Sequence, residues 1–560
     1  MKTVIIGGVA GGASAAARLR RLDEKAEIIL LERGGYISYA NCGLPYYIGG
    51  DITSKSALVM QTPESFCARF AVDVRVKHEA LSIDAAARQV QVRDIENNMV
   101  YRQVYDKLIL SPGAEPLRPQ LPGIDDERIV TLRNIPDTVH IREYIDIHKP
   151  RTALVVGGGY IGLEMAENLT RAGLQVTIAE FSDHVIGPLD CDMAADVHRY
   201  LRSKGITLLL KNGVVAFHPE NDAIKAELSH GSVTADIVLL SIGVQPESRL
   251  AKEAGLALDE KGAVIVDEYL RTSDENIYAV GDAIRVQNLV SGRPGYIPLA
   301  GPANKQGRIA ADNIAGLSKT YKGTQGSAVL KLFDMTVATT GLNEQGARQA
   351  ALDYDKVFLA PASHATYYPG ASTLNMKILF EKTTGRVLGA QIVGFEGVDK
   401  RIDVLAAAIR SGATARDLAE WELSYAPPYS SAKDPVNMVG FVIENLLDGL
   451  VSQFHWHDVA QLPSGGVITL LDTRTKAEYL AGHILGAVNI PLDILRQRLD
   501  ELNTKKPVYV YCHSGMRSYL ACRILTQNGF ECRNLAGGYK LYSSVTDNEH
   551  GSPCHNCCPM

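Results

Sequence analysis

Short apolar runs that stop at glycine, each followed by a helix-like stretch, set the rhythm of this chain. Thr3–Ile6 (TVII) ends at Gly7, and Gly7-Gly8-Val9-Ala10-Gly11-Gly12 leads into an alanine-rich helix. A second run, Glu27–Leu31, ends at Glu32. The pattern returns further on. Thr152–Val156 (TALVV) precedes the turn Gly157-Gly158-Gly159-Tyr160-Ile161-Gly162, and after a helix the strand Val176–Ala179 ends at Glu180. Apolar runs of this length bounded by glycine predict buried parallel strands, so each block reads as a βαβ unit. Later runs end at Ser111-Pro112-Gly113, Ser241-Ile242-Gly243 and Gly281-Asp282. Strands at Thr373–Phe380 and Val387–Gly394 precede a long helical stretch, and Ile468–Leu471 and Val508–Tyr511 open another α/β unit.

The turns carry chemistry. A helix that begins at a glycine-rich turn offers free backbone N–H groups to a pyrophosphate, and an acidic residue at the end of the next strand accepts from a ribose hydroxyl. The second turn has all three glycines of this fingerprint, and Glu180 lies 18 residues beyond Gly162. A carboxylate there repels a 2′-phosphate, which leans towards NADH over NADPH. The first turn has Val9 at the middle position.

Composition narrows the class. The 560 residues are 46% hydrophobic and 21% charged, ordinary for a globular protein of several domains. A net charge of −6 argues against a general nucleic-acid binder. No apolar run is long enough to span a membrane. The amino-terminal run, with Arg18, Arg20 and Arg21 beyond it, reads as strand, turn and helix rather than as a signal peptide, so the expected location is cytoplasmic. Nine cysteines, an odd number, do not suggest a disulfide framework.

In this order, the motifs over residues 1–445 resemble the flavoprotein disulfide reductases of the pyridine nucleotide-disulfide oxidoreductase family. The resemblance implies an α/β fold with two Rossmann-like dinucleotide-binding domains and an α+β dimerisation domain. It implies FAD and NAD(P)H as cofactors. The cofactor-binding positions it marks are Gly7, Gly8, Val9, Ala10, Gly12, Glu32, Arg33, Ser111, Pro112, Gly113, Gly157, Gly159, Tyr160, Ile161, Gly162, Glu180, Gly243, Gly281, Asp282, Pro298, Leu299 and Ala300. No metal site is expected.

Dithiol members of that family carry two cysteines five positions apart beside the flavin. Here Cys42 stands alone in Ser38-Tyr39-Ala40-Asn41-Cys42-Gly43-Leu44-Pro45-Tyr46, with Ile37 at the other position. Pro45 suits the first turn of a helix, which places Cys42 at a helix N-terminus where a thiol pKa falls. A single redox cysteine needs an external sulfur or oxygen partner. The segment is similar to the coenzyme A-disulfide reductase and NADH oxidase/peroxidase branch, whose peroxide-reducing members have a histidine where this chain has Ala10. Ser14, Arg18 and Arg21 share one helix face and form a cationic stripe suited to phosphates. The resemblance adds Ser38, Asn41, Asn304, Arg308 and Lys433 to a coenzyme A site, and Tyr367 and Tyr425, contributed by a partner subunit of a homodimer, as catalytic hydroxyls beside Cys42.

The carboxyl-terminal unit, with Asp472-Thr473-Arg474 and Gly482-His483-Ile484 before Cys512, closely resembles a rhodanese domain. Cys512 followed by His513, Ser514, Gly515, Met516 and Arg517 at a strand-to-helix turn makes an N–H cradle for a thiolate or persulfide, to which Arg517 adds positive charge. The expected domains are FAD-binding (1–110 and 245–322), NAD(P)-binding (111–244), dimerisation (323–445), a linker (446–465), rhodanese (466–546) and a Cys-rich tail (547–560). The expected function is FAD-dependent NAD(P)H reduction of polysulfide, persulfide and coenzyme A disulfide, in which Cys42 cleaves the S–S bond and Cys512 carries sulfane sulfur. The alternatives are an NADH oxidase and a sulfurtransferase that the flavin half supports.

Overall fold

The computed structural model describes residues 1–463 and 465–546, so the expected tail lies outside the described residues. The chain divides into two units, residues 1–181 with 205–326, and residues 182–204 with those from 327 onward.

The first unit holds two five-stranded parallel sheets. One has the spatial order Ile277–Ala279, Lys107–Leu110, Lys2–Ile6, Glu27–Glu32, Asp73–Val76. The other runs Thr207–Leu209, Gln175–Ala179, Thr152–Val156, Ile237–Leu240, Ile129–Val130. The central strands are apolar throughout because both faces are covered: Val4, Ile5, Leu30, Leu108 and Ile109 are fully buried, as are Leu154, Val155 and Val238. Each such side chain contributes roughly 1.5–3 kcal/mol of burial free energy. The strands Ala114–Pro116 and Val244–Pro246 pair antiparallel and carry the chain between the two sheets. The helix Ala10–Leu22 packs along Ala300–Ile314 at an all-glycine contact, where a Cβ on Gly307 would stand 2.2 Å from the Gly11 carbonyl oxygen.

The second unit contains a five-stranded antiparallel sheet in the order Ala328–Leu332, Met335–Gly341, Val387–Gly394, Asn375–Glu381, Tyr354–Leu359. Helices Val398–Ser411, Ala415–Glu420 and Pro435–Leu447 accompany it. Its core includes a fully buried lysine. Lys377 Nζ lies 2.9 Å from Asp190, 2.8 Å from Asp192 and 2.6 Å from Glu344, and Glu344 also pairs with Lys356 at 2.7 Å. A buried ammonium persists only with compensating carboxylates. These pairs draw the helix Cys191–Ser203 into the second unit, so the stretch 111–244, expected as one domain, is divided between the two.

The other sheet of this unit is parallel and runs Ser452–Phe454, Cys532–Leu535, Val508–Tyr511, Thr469–Asp472, Val488–Asn489. This corrects the expected linker at 446–465. Ser452–Phe454 is the edge strand of that sheet, held by burial of Phe454 with Tyr511 and Leu535. Three residues with one aromatic anchor give no periodic signal in sequence. Among the described residues no helix is long and apolar enough to cross a membrane.

Candidate functional site

The two glycine turns have parallel constructions. Gly7 takes φ +97°, and a Cβ there would meet the Ser111 carbonyl oxygen at 2.1 Å; Gly157 takes φ +102°, and a Cβ would meet the Ser241 oxygen at 2.5 Å. Each turn therefore presses against the end of a neighbouring strand, and only glycine allows it. The acidic residues brace the turns. Glu32 accepts from the amides of Gly8 at 2.9 Å and Gly34 at 2.7 Å, and Glu180 accepts from Gly158 at 2.6 Å. Gly159 faces open space, whereas its counterpart Val9 ends the approach to the helix Ala10–Leu22 with no side-chain cap.

Around the first turn, Ser111 donates its amide to Ile6, Gly113 takes φ +80°, and the Pro112 carbonyl accepts from Arg133 at 3.1 Å. The Arg33 guanidinium is engaged with Glu115 and Glu247. Gly281 takes φ +76° and donates to Gln306 at 2.8 Å. Burial pushes the Asp282 carboxyl up, only partly offset by Arg133. The Tyr296 hydroxyl is buried without a hydrogen-bond partner among the described residues, and its pKa is raised by burial and by Asp282. An orphaned hydroxyl near a desolvated carboxylate, beside an uncapped helix end, fits a polar ligand with hydroxyl and phosphate groups. Pro298 and Leu299 precede the helix that starts at Ala300. At the second turn, Tyr160, Ile161 and Gly162 open the helix Tyr160–Arg171, and Gly243 takes φ +121°. Phe181, next to Glu180, is 81% exposed and was not singled out by sequence; an apolar residue directly after the acidic strand end was the available signal.

Cys42 lies in a single 3-10 turn, Asn41–Gly43, ahead of the six-residue helix Leu44–Gly49. Its thiol is free and reaches solvent. The expected lowering of its pKa is not found. Partial burial of the sulfur in its recess, then the charges of Glu164 and Asp282, push it up. Sequence reading missed Glu164 and Tyr46. The helix Leu44–Gly49 packs on Tyr160–Arg171, where a Cβ on Gly49 would collide with Asn168, and the Tyr46 hydroxyl lies 3.4 Å from Glu164 Oε1. Burial and the nearby Glu167 raise the Glu164 pKa to about 7 against the hydrogen bond from Tyr46.

The expected cationic stripe is partly neutralised. The glycine contact aligns Ser14 with Asn304, at 2.6 Å, and Arg18 with Asp312, at 2.6 Å. Arg18 is therefore ion-paired, while Arg21 and Arg308 stay exposed. Ser38 holds φ +44° and donates its amide to Gly8, and Asn41 is exposed. In the second unit the Tyr367 and Tyr425 hydroxyls share a 2.6 Å hydrogen bond, both rings are exposed, and Lys433 is exposed.

Cys512 ends the strand Val508–Tyr511 and is almost fully buried. Its sulfur accepts from the Gly515 amide at 3.1 Å and from the Ser518 hydroxyl at 3.3 Å. The carbonyls of Cys512 and His513 accept from the amides of Tyr539 and Lys540, which pin the loop. His513 and Met516 are exposed, and Ser514 is half-buried. Arg517 does not stand as an unpaired charge: it makes a two-pronged pair with Glu478 at 2.7 and 2.8 Å.

Residues 1–307 match the model of the pyridine nucleotide-disulphide oxidoreductases, 327–435 that of their dimerisation domain and 456–544 that of the rhodanese-like domain. A coenzyme A disulfide reductase of Staphylococcus haemolyticus is 37% identical over 446 residues, covering 80% of this chain and 100% of that one. The crystal structure of reduced CoADR-RHD from Bacillus anthracis superposes with a TM-score of 0.96 at 48% identity over 98% of both chains. That of a NAD-dependent persulfide reductase from A. fulgidus does so at 0.90 and 38%, over 97% of this chain and 100% of that one. With both glycine turns built on one plan and more than half the chain within the first model, the chain belongs to the pyridine nucleotide-disulphide oxidoreductase family.

Proposed function

We propose that this chain is an FAD-dependent NAD(P)H reductase of coenzyme A disulfide and of persulfides or polysulfide, with Cys42 as the attacking thiol and Cys512 as a carrier of sulfane sulfur. The observation that carries the reading is Cys42: a free, accessible thiol in the electrostatic neighbourhood of Asp282, with no second cysteine in its turn. A lone thiol must take its second sulfur from the substrate. The names borne by the similar proteins, coenzyme A disulfide reductase and persulfide reductase, support that substrate class.

Bound FAD would pass two electrons from the nicotinamide to sulfur. The first glycine turn with Glu32 and Asp282 would hold it, and the turn braced by Glu180, with the exposed Phe181 next to it, would hold NAD(P)H. Cys42 as thiolate attacks one sulfur of R–S–S–R′. A Cys42–S–S–R bond forms, the original S–S bond breaks, and R′S⁻ leaves and takes a proton. We assign that proton to the Tyr367–Tyr425 pair of a second copy; the match to the dimerisation model supports a homodimer. Arg21, Arg308 and Lys433 are the exposed cations left to meet the phosphates of coenzyme A, with Ser14, Ser38, Asn41 and Asn304 beside them. A cytoplasmic location suits the free Cys42 and Cys512 thiols on which this chemistry depends.

The test is Cys42→Ser. NAD(P)H-driven reduction of coenzyme A disulfide and of polysulfide should stop while the protein still purifies with FAD. Turnover near that of the unaltered chain would remove Cys42 from the mechanism.

A further inference from the structure

The Cys512 loop has a carboxylate at its lip. Glu478 is held rigidly: the Thr475 amide and hydroxyl both donate to it at 2.9 Å, as part of the cap of the helix Lys476–Ala481. The same carboxylate grips both outer nitrogens of Arg517. The other charges around the loop are accounted for. Arg474 pairs with the buried Asp472 at 2.7 Å, and the Lys540 ammonium donates to Asn375. His513 is influenced by Lys540, Glu478, Arg517 and Arg474, and burial with these cations lowers its pKa. Arg517 is the cation that projects from the loop itself, and it is already matched by a fixed negative charge. An arginine so paired offers little to a further anion, and the anchored carboxylate repels one.

We infer that Glu478 is a positioning residue that selects the sulfur donor of Cys512, favouring persulfides carried on an organic thiol over thiosulfate. The inference rests on the reading of Cys512 as the sulfur-accepting thiol. In either transfer the Cys512 thiolate attacks the outer, sulfane sulfur. A Cys512–S–S⁻ persulfide forms and the donor S–S bond breaks, so the step is redox-neutral. An organic persulfide releases a thiolate with one negative charge at the reacting sulfur. Thiosulfate releases sulfite, a dianion whose charge lies directly beside the transferred sulfur, and this group must sit at the lip that Glu478 and Arg517 occupy. With Glu478 present, Arg517 is held and its charge is balanced; without it, Arg517 is released to take the sulfonate.

The experiment measures sulfur transfer to cyanide by the full-length holoenzyme, with thiosulfate and glutathione persulfide as alternative donors. Glu478→Gln keeps the side-chain shape and an oxygen for Thr475. It should raise the ratio of kcat/KM for thiosulfate to that for the persulfide by about tenfold, chiefly through a lower KM for thiosulfate. The added substitution Arg517→Gln should abolish the gain. A ratio unchanged or lowered in Glu478→Gln overturns the inference, because a merely structural glutamate would weaken both donors alike. A gain that persists in the double variant overturns the role assigned to Arg517. Transfer that survives in Cys512→Ser would instead defeat the underlying reading of Cys512, and that outcome is separate from the other two.

Discussion

The hydroxyls of Tyr367 and Tyr425, 58 positions apart in sequence, share a 2.6 Å hydrogen bond in the second unit. The bond raises the Tyr367 pKa and makes the two groups one donor–acceptor pair. If the pair protonates a leaving thiolate, the two residues act together. Tyr367→Phe and Tyr425→Phe should each lower kcat for coenzyme A disulfide by about 10- to 100-fold, and the double variant should lose little more than the worse single one. Tyr368→Phe should leave kcat unchanged. Multiplicative losses in steady-state kinetics would show that the hydroxyls work separately.

Burial is the main cause of the raised Cys42 pKa, and Glu164 is the larger of the two charges that add to it. Its carboxyl titrates near pH 7 in the fold, against 4.5 as the ordinary value, so above pH 7 it is charged and opposes a thiolate at Cys42. Glu164→Gln should lower the pH midpoint for alkylation of Cys42, followed residue by residue by mass spectrometry. The sign for stability follows from the same shift. Between pH 4.5 and about 7 the folded chain holds a proton that the unfolded chain has lost, so this group's contribution to stability declines as pH rises through that window. Glu164→Gln should therefore stabilise the protein at pH 8 by on the order of 2 kcal/mol, and by little near pH 4.5. An unmoved alkylation midpoint would mean that the Glu164 charge does not reach the sulfur.

Glu180 braces its turn through the Gly158 amide while occupying the end of the strand Gln175–Ala179. If Glu180 faces the ribose, as proposed, Glu180→Ala removes an acceptor for its hydroxyl and a charge that repels a 2′-phosphate. The ratio of kcat/KM for NADH to that for NADPH should fall by about tenfold, with KM for NADH rising. A constant ratio would place the carboxylate away from the ribose.

Much of this architecture is written locally. The strands Lys2–Ile6 and Thr152–Val156, the positive-φ glycines at 7 and 157, and the acidic strand ends Glu32 and Glu180 are consecutive features whose meaning depends on neighbours within some 30 residues. The Cys512 loop is legible for the same reason, since one strand, one turn and one helix build it.

The sequence by itself determined the order of the strands and turns, the lone Cys42, and the loop residues from Cys512 to Arg517, because hydrophobic period and turn chemistry are properties of adjacent residues. Tertiary structure alone decided the charges around them. Arg18 became half of an ion pair because Gly11 and Gly307 let two helices, nearly 300 positions apart, touch. Arg517 met Glu478 across 39 positions, Lys377 gathered Asp190, Asp192 and Glu344 from two distant segments, and Cys42 came under Glu164 through the packing of one short helix on another. Electrostatic partners are chosen by distance in space and by exclusion of water, and neither is encoded by spacing along the chain.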